Sequence, residues 1–134
     1  MGVFTEAEVE YLNSQRLGRL ATAVDGRPHV VPVAFQYNPD EDTIDIGGRS
    51  FAQGKKFRDV QANPNVAFVV DDLASVQPWR PRGIEIRGEA GVHTSGGKAL
   101  RPGFDDEFFR IRPVRIYSRG LVDGVPASAR NVAP

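Results

Sequence analysis

The sequence predicts a mainly β fold, a closed antiparallel barrel of six strands with two or three short helices. Three observations carry that prediction. Short stretches with apolar residues at period two recur along the chain. Turn-forming pairs such as Asp25-Gly26 join them as hairpins. No regular alternation of strand and helix appears, as a doubly wound parallel sheet would require. With 134 residues the chain is read as a single domain, 1–134, with a loose tail from about residue 123.

Each element has a local cause. Residues 5–16 read as a helix: Thr5 and Glu8 have capping-box spacing, and Phe4 with Val9 have the spacing of a hydrophobic staple. LGRLATAV (17–24) and PHVVPVAFQY (28–37) read as strands around the Asp25-Gly26 turn. Pro32 in the middle of the second implies an edge, a bulge or a position facing no neighbouring strand. TIDIGG (43–48) alternates Ile44 and Ile46 inward with Thr43 and Asp45 outward. Residues 51–62 read as a helix with a second capping box, Ser50 and Gln53, and Phe57 and Val60 on its inward stripe. NPNVAFVVDD (63–72) turns into a strand apolar on both faces, hence central. Two prolines in LASVQPWRPRG (73–83) suggest an irregular loop, GIEIRGEAGVHT (83–94) a long strand with a bend or bulge at Gly88, FDDEFFRI (104–111) a short helix, and PVRIYSRGLV (113–122) the last strand.

Composition excludes several functions. The 17 cationic and 17 anionic side chains cancel, which argues against nucleic-acid coating. Cysteine is absent, so thiol nucleophiles, zinc-thiolate sites and iron–sulfur clusters are ruled out, and a cytoplasmic setting is expected. No apolar run is long enough to cross a bilayer as a helix, so no membrane partner is expected. The only histidines, His29 and His93, lack metal-site spacing, and no metal is expected. Walker, GxGxxG and GxSxG motifs are missing. If the chain is an enzyme, a bound cofactor carries the reactive atom.

Three stretches have the residues for such a cofactor. In GGRSFAQGKKFRD (47–59) a diglycine including Gly48 allows close approach to the backbone, Arg49 offers a forked donor and Ser50 a hydroxyl at a helix start. Lys55 and Lys56 can lean back over that first turn. Lys56 is the better phosphate candidate, because Asp59 at i+4 can pair with Lys55. A capped helix with a solvated basic face would show the same residues. In VVPVAF, Val31, Val33 and Phe35 face one way and Val30, Pro32 and Ala34 the other. Both faces are apolar, so one needs a cover, either a flat aromatic ligand or a second subunit. In QPWRPRG, Trp79 between prolines either meets a ligand beside Arg80 and Arg82 or plugs one end of the barrel.

The motifs LGRLATAVDGRPHVVPVAFQYNPDEDTIDI, GKKFRDVQANPNVAFVVDD, GIEIRGEAGV and RIYSRGL, in this order over about residues 4–122, resemble the pyridoxamine-phosphate-oxidase-like split-barrel family. Within it, FAQGKKFRD and QPWRPRG look most like the class dependent on coenzyme F420, an 8-hydroxy-5-deazaflavin, in a branch that includes a reductase of tetracycline biosynthesis. The resemblance implies a six-stranded FMN-binding-type split barrel and a homodimer with two interfacial sites. It implies that Lys56 binds the cofactor phosphate, that Lys55, Arg49 and Ser50 make neighbouring contacts, that Val31, Pro32 and Val33 back the ring, and that Trp79 lies in a loop approaching it. The expected activity is hydride transfer between reduced F420 and a small electron-poor organic acceptor. The alternatives are an FMN-dependent oxidase or reductase on the same barrel, or a non-catalytic module binding a flavin-like cofactor or haem. Residues matching the substrate-phosphate contacts of true pyridoxamine phosphate oxidases are missing.

Overall fold

The computed structural model describes residues 2–132. Helix α1 spans Glu6–Ser14, and the Thr5–Glu8 capping box forms as expected: Glu8 N donates to Thr5 Oγ1 at 3.1 Å and Thr5 N donates to Glu8 Oε1 at 2.9 Å. Strands β1 (Leu17–Val24) and β2 (Arg27–Ala34) make a hairpin. Asp25 and Gly26 both have positive φ, the geometry a tight turn between twisted strands needs. Then come β3 (Gln36–Asn38), β4 (Thr43–Gly47), helix α2 (Lys55–Ala62), β5 (Asn65–Ser75), β6 (Arg80–His93), β7 (Phe108–Arg119) and β8 (Ser128–Asn131).

One antiparallel sheet runs β2-β1-β5-β6-β7-β4-β3, with β8 added on β7. It curls into a half-barrel in which β2 approaches β4. The first half of β7 pairs with β4 and the second half with β8. Leu20, Phe68, Val70, Ile84, Ile86, Ile111 and Ile116 fill the concave side. β5 lies inside the sheet, as its two apolar faces required, and Pro32 lies on edge strand β2, where its missing donor costs no ladder bond. The ladder shifts register between Arg87 and Gly88, the expected bulge.

Four expectations are corrected. Eight strands form among the described residues, where six were expected. The 28–37 stretch breaks at Phe35, pairing with β1 before it and with β4 after it, and the described part of the tail contributes β8; residues 133–134 lie outside the described residues. The 73–83 loop is mostly strand, because β5 and β6 continue to a short turn at 76–79. Pro81 fits there because the β6–β7 ladder begins only at Gly83. Residues 104–111 are not helical: Phe108 and Phe109 enter β7 opposite Gly47 and Ile46. The helix expected over 51–62 is two pieces, a 3-10 turn at Phe51–Gln53 and α2, with Gly54 as the cap of α2.

Candidate functional site

The second capping box does not form. Ser50 sits in the left-handed region (φ 50°) and its side chain caps nothing. The carboxylate of Asp105 serves the turn from a distance, accepting from Phe51 N at 3.1 Å, while Asp105 N donates to Gly48 O at 3.0 Å. The 3-10 turn is thus closed by the chain itself. The start of α2 is not, for Gly54 has no side chain to cap it.

The paired lysines divide at that point. Lys55 Nζ donates to both oxygens of Asp59 at 3.0 and 3.1 Å, the i+4 partnership expected. Asp59 also accepts from Thr22 Oγ1 at 2.9 Å, and Lys55 together with Thr22 holds its carboxyl below the usual range against the cost of burial. His29 Nδ1 lies 4.0 Å from Asp59 and has no hydrogen-bond partner, although the atom is buried. Lys56 forms no ion pair among the described residues. Its Nζ lies 5.1 Å from the centre of the Phe51 ring and 3.7 Å from where a Gly54 Cβ would stand, so it has folded back over the open first turn. Burial lowers the Lys56 pKa, which marks an ammonium partly stripped of water. A free, half-desolvated ammonium beside uncapped N–H groups suits an oxyanion.

On β2 the side chain of Val33 is turned into the core, 6% exposed, and Val31 packs against that core. Pro32 and Val30 are exposed on the outer face, so Pro32 is the member of the expected ring-backing trio that presents its side chain outward. Gly48 leads from β4 to Arg49, which is exposed; the guanidinium of Arg49 lies 3.0–3.4 Å from where a Gly103 Cβ would stand.

Beside the diglycine the structure has a cleft of about 260 Å³ that sequence reasoning missed. It is lined by Ala34 at the end of β2 and Phe35 after it, by Asp45 and Gly47 of β4, by Arg16 after α1, and by Leu100, Arg101 and Phe104 of the loop before β7. Asp45 was expected to face outward, yet it is 2% exposed because β3 and β7 cover it. It accepts from Thr43 Oγ1, Asn38 Nδ2 and both arms of Arg110 at 2.9–3.3 Å. Gly47 lets the loop close on β4, because a Cβ there would meet Phe104 and Leu100 at 3.1 and 3.2 Å. No local spacing signals this cleft; its lining comes from four separate segments.

Trp79 lies elsewhere, at the β5–β6 tip, 66% exposed. It plugs nothing. It lines a groove of about 840 Å³ on the outer face of the sheet with Val69, Leu73, Glu85, Tyr117 and Arg119, and none of the other eight expected contacts lines that groove. Arg82 is bound to Asp72 through two hydrogen bonds, at 2.7 and 3.0 Å, and serves the fold.

The pyridoxamine 5'-phosphate oxidase family model matches residues 4–119. The chain belongs to that family. It is similar to the 5a,11a-dehydrotetracycline/5a,11a-dehydrooxytetracycline reductase of Streptomyces rimosus, with 44% identity over 119 residues, 88% of this chain and 84% of that one. Among solved structures it is similar to an FAD-binding protein from Mycobacterium smegmatis, with 26% identity, a TM-score of 0.65 and coverage of 89% and 97%. A conserved hypothetical protein from Mycobacterium tuberculosis shares the fold at 21% identity, with a TM-score of 0.70 and coverage of 92% and 90%. No helix among the described residues is long and apolar enough to cross a membrane.

Proposed function

We propose that the chain is an oxidoreductase dependent on coenzyme F420, reducing a small electron-poor organic acceptor. The observation that carries the reading is the 44% identity, along most of both chains, to a reductase of dehydrotetracyclines. The site supports the cofactor half. Lys56 and the open start of α2 would hold its phosphate, Gly48 admits it to the backbone, and Arg49 and Ser50 stand beside it. The outer face of β2 at Pro32 offers an apolar wall. When bound, reduced F420 supplies the hydride; the protein's part is to hold, orient and exclude water.

Tyr37, one candidate proton source, donates to Asp42 Oδ1 at 2.9 Å; burial and that bond push its pKa up to about 12, so it keeps its proton. Tyr117 lines the Trp79 groove. A second copy of the chain would cover that outer face, where Leu73 and Val114 are exposed and charges such as Arg19–Asp71 (2.6 Å) neutralise each other. This supports a homodimer; sedimentation as a stable monomer at micromolar concentration would remove the interfacial sites. The flavin-binding relative from Mycobacterium smegmatis favours a second reading, FMN on the same barrel. Fluorescence titration of F420 against FMN separates the two: micromolar or tighter F420 binding with weak FMN binding supports the first, and the reverse order overturns it.

A further inference from the structure

We propose that the cleft between α1, β4 and the 97–106 loop is an anion-selective acceptor subsite, in which Arg16 and Arg101 grip an acidic oxygen on a flat ring. The role as acceptor subsite rests on the reductase reading above; the binding chemistry does not. The walls are Phe35, Leu100 and Phe104, apolar and in part aromatic, which suits the face of a planar ring. Arg16 and Arg101 line the same cleft, are exposed, and form no ion pair among the described residues. Six other arginines are treated differently: Arg19, Arg82, Arg87, Arg110, Arg112 and Arg130 each meet a carboxylate.

The carboxylate in the cleft does not cancel the two free guanidiniums. Asp45 is matched by Arg110 and already holds hydrogen bonds from Thr43 and Asn38. An incoming anion therefore meets a net positive cleft. The backbone that carries the two side chains is also fixed. Arg101 begins a turn closed by Phe104 N donating to Arg101 O at 3.1 Å, with Gly103 at φ 89°. That turn is tied to β4 through Asp105 N and Gly48 O. Arg16 lies between Gln15, the C-cap of α1, whose N donates to Leu12 O at 3.3 Å, and Leu17, which begins β1. Guanidinium groups bind carboxylate, phenolate and enolate oxygens through paired N–H donors. The cleft continues past Asp45 and Leu100 into a second chamber of about 390 Å³, leaving room for fused rings.

The test uses the cofactor-free protein, so that it reads the subsite alone. Isothermal titration compares 2-naphthoate with its neutral counterpart 2-naphthalenemethanol. The naphthoate should bind at least about tenfold more tightly, the scale of one charge-assisted bond. Arg101→Met, in an exposed loop, should remove most of that preference, and Arg16→Met with Arg101→Met should abolish it while leaving the alcohol's affinity and the melting midpoint unchanged. Should the double variant unfold, Arg101→Met alone decides. Equal binding of the two compounds, or a preference that persists in the variants, overturns the subsite. Loss of F420 binding with the naphthoate preference intact would instead overturn the reductase reading and leave the subsite standing.

Discussion

Arg130 and Lys56 show two opposite uses of a cation in one small molecule. At the seam between the chain ends, Arg130 of β8 donates to both oxygens of Glu8, at 3.0 and 2.6 Å, and to Val3 O at 2.7 Å. Glu8 is 1% exposed. At the start of α2, by contrast, Lys56 is half-desolvated, lies over the Phe51 ring and has no ion-pair partner among the described residues. One cation is enclosed with its counterion; the other is held in place without one, as the proposed phosphate site requires. The cost of removing each should therefore fall on different measurements.

Arg130→Met should give the largest effect. It leaves a buried carboxylate without its partner and should lower unfolding free energy by about 3–5 kcal/mol in urea, with F420 affinity of the folded protein unchanged. Burial works to raise the Glu8 pKa, but the Arg130 and Thr5 hydrogen bonds outweigh it and hold it lowered. A depressed carboxyl stabilises the fold above its unfolded pKa, and that contribution fades as pH falls below about 4. The gap between wild type and Arg130→Met should accordingly narrow from pH 7 to pH 3; a constant gap would mean that the pairing is not electrostatic.

Lys56→Ala comes next, in the opposite column. F420 affinity should fall about 10–100-fold, equivalent to roughly 1.5–3 kcal/mol, with little change in melting midpoint. Unchanged affinity would take Lys56 out of the site. Lys55→Ala sharpens the contrast between neighbours: with its ammonium committed to Asp59, affinity should drop less than about fivefold, the modest scale of an exposed pair. An effect as large as that at Lys56 would show that Asp59 releases Lys55 to the ligand. The smallest signal is expected from Trp79, whose emission should shift by a few nanometres on cofactor binding; no shift places it away from the cofactor.

The same contrast explains what could be read from the sequence. The Thr5 cap, the Asp25-Gly26 hairpin, the Gly88 bulge and the Lys55–Asp59 pair are all set by residues close in sequence, and each formed. Ser50 fits the same local rule as Thr5, yet failed, because its left-handed backbone leaves Gln53 N bonded to Ser50 O, while Asp105, 54 positions beyond Phe51, satisfies Phe51 N. The prolines of 73–83 signalled a loop, but Pro81 sits where no second strand needs its donor. Asp45 looked solvent-facing by alternation, and only the pairing of β3 and β7 on either side buried it. The nine expected contacts were chosen by motif, so they include the α2 start and miss the cleft, whose lining joins only when the sheet curls.

The grip of Arg130 on Val3 has an engineering consequence. It brings the beginning and end of the described chain into direct contact. A short glycine-serine bridge across that gap would yield a circularly permuted protein. New ends opened at Asp25-Gly26, an exposed turn with no Cβ contact at the glycine, would leave the interior untouched.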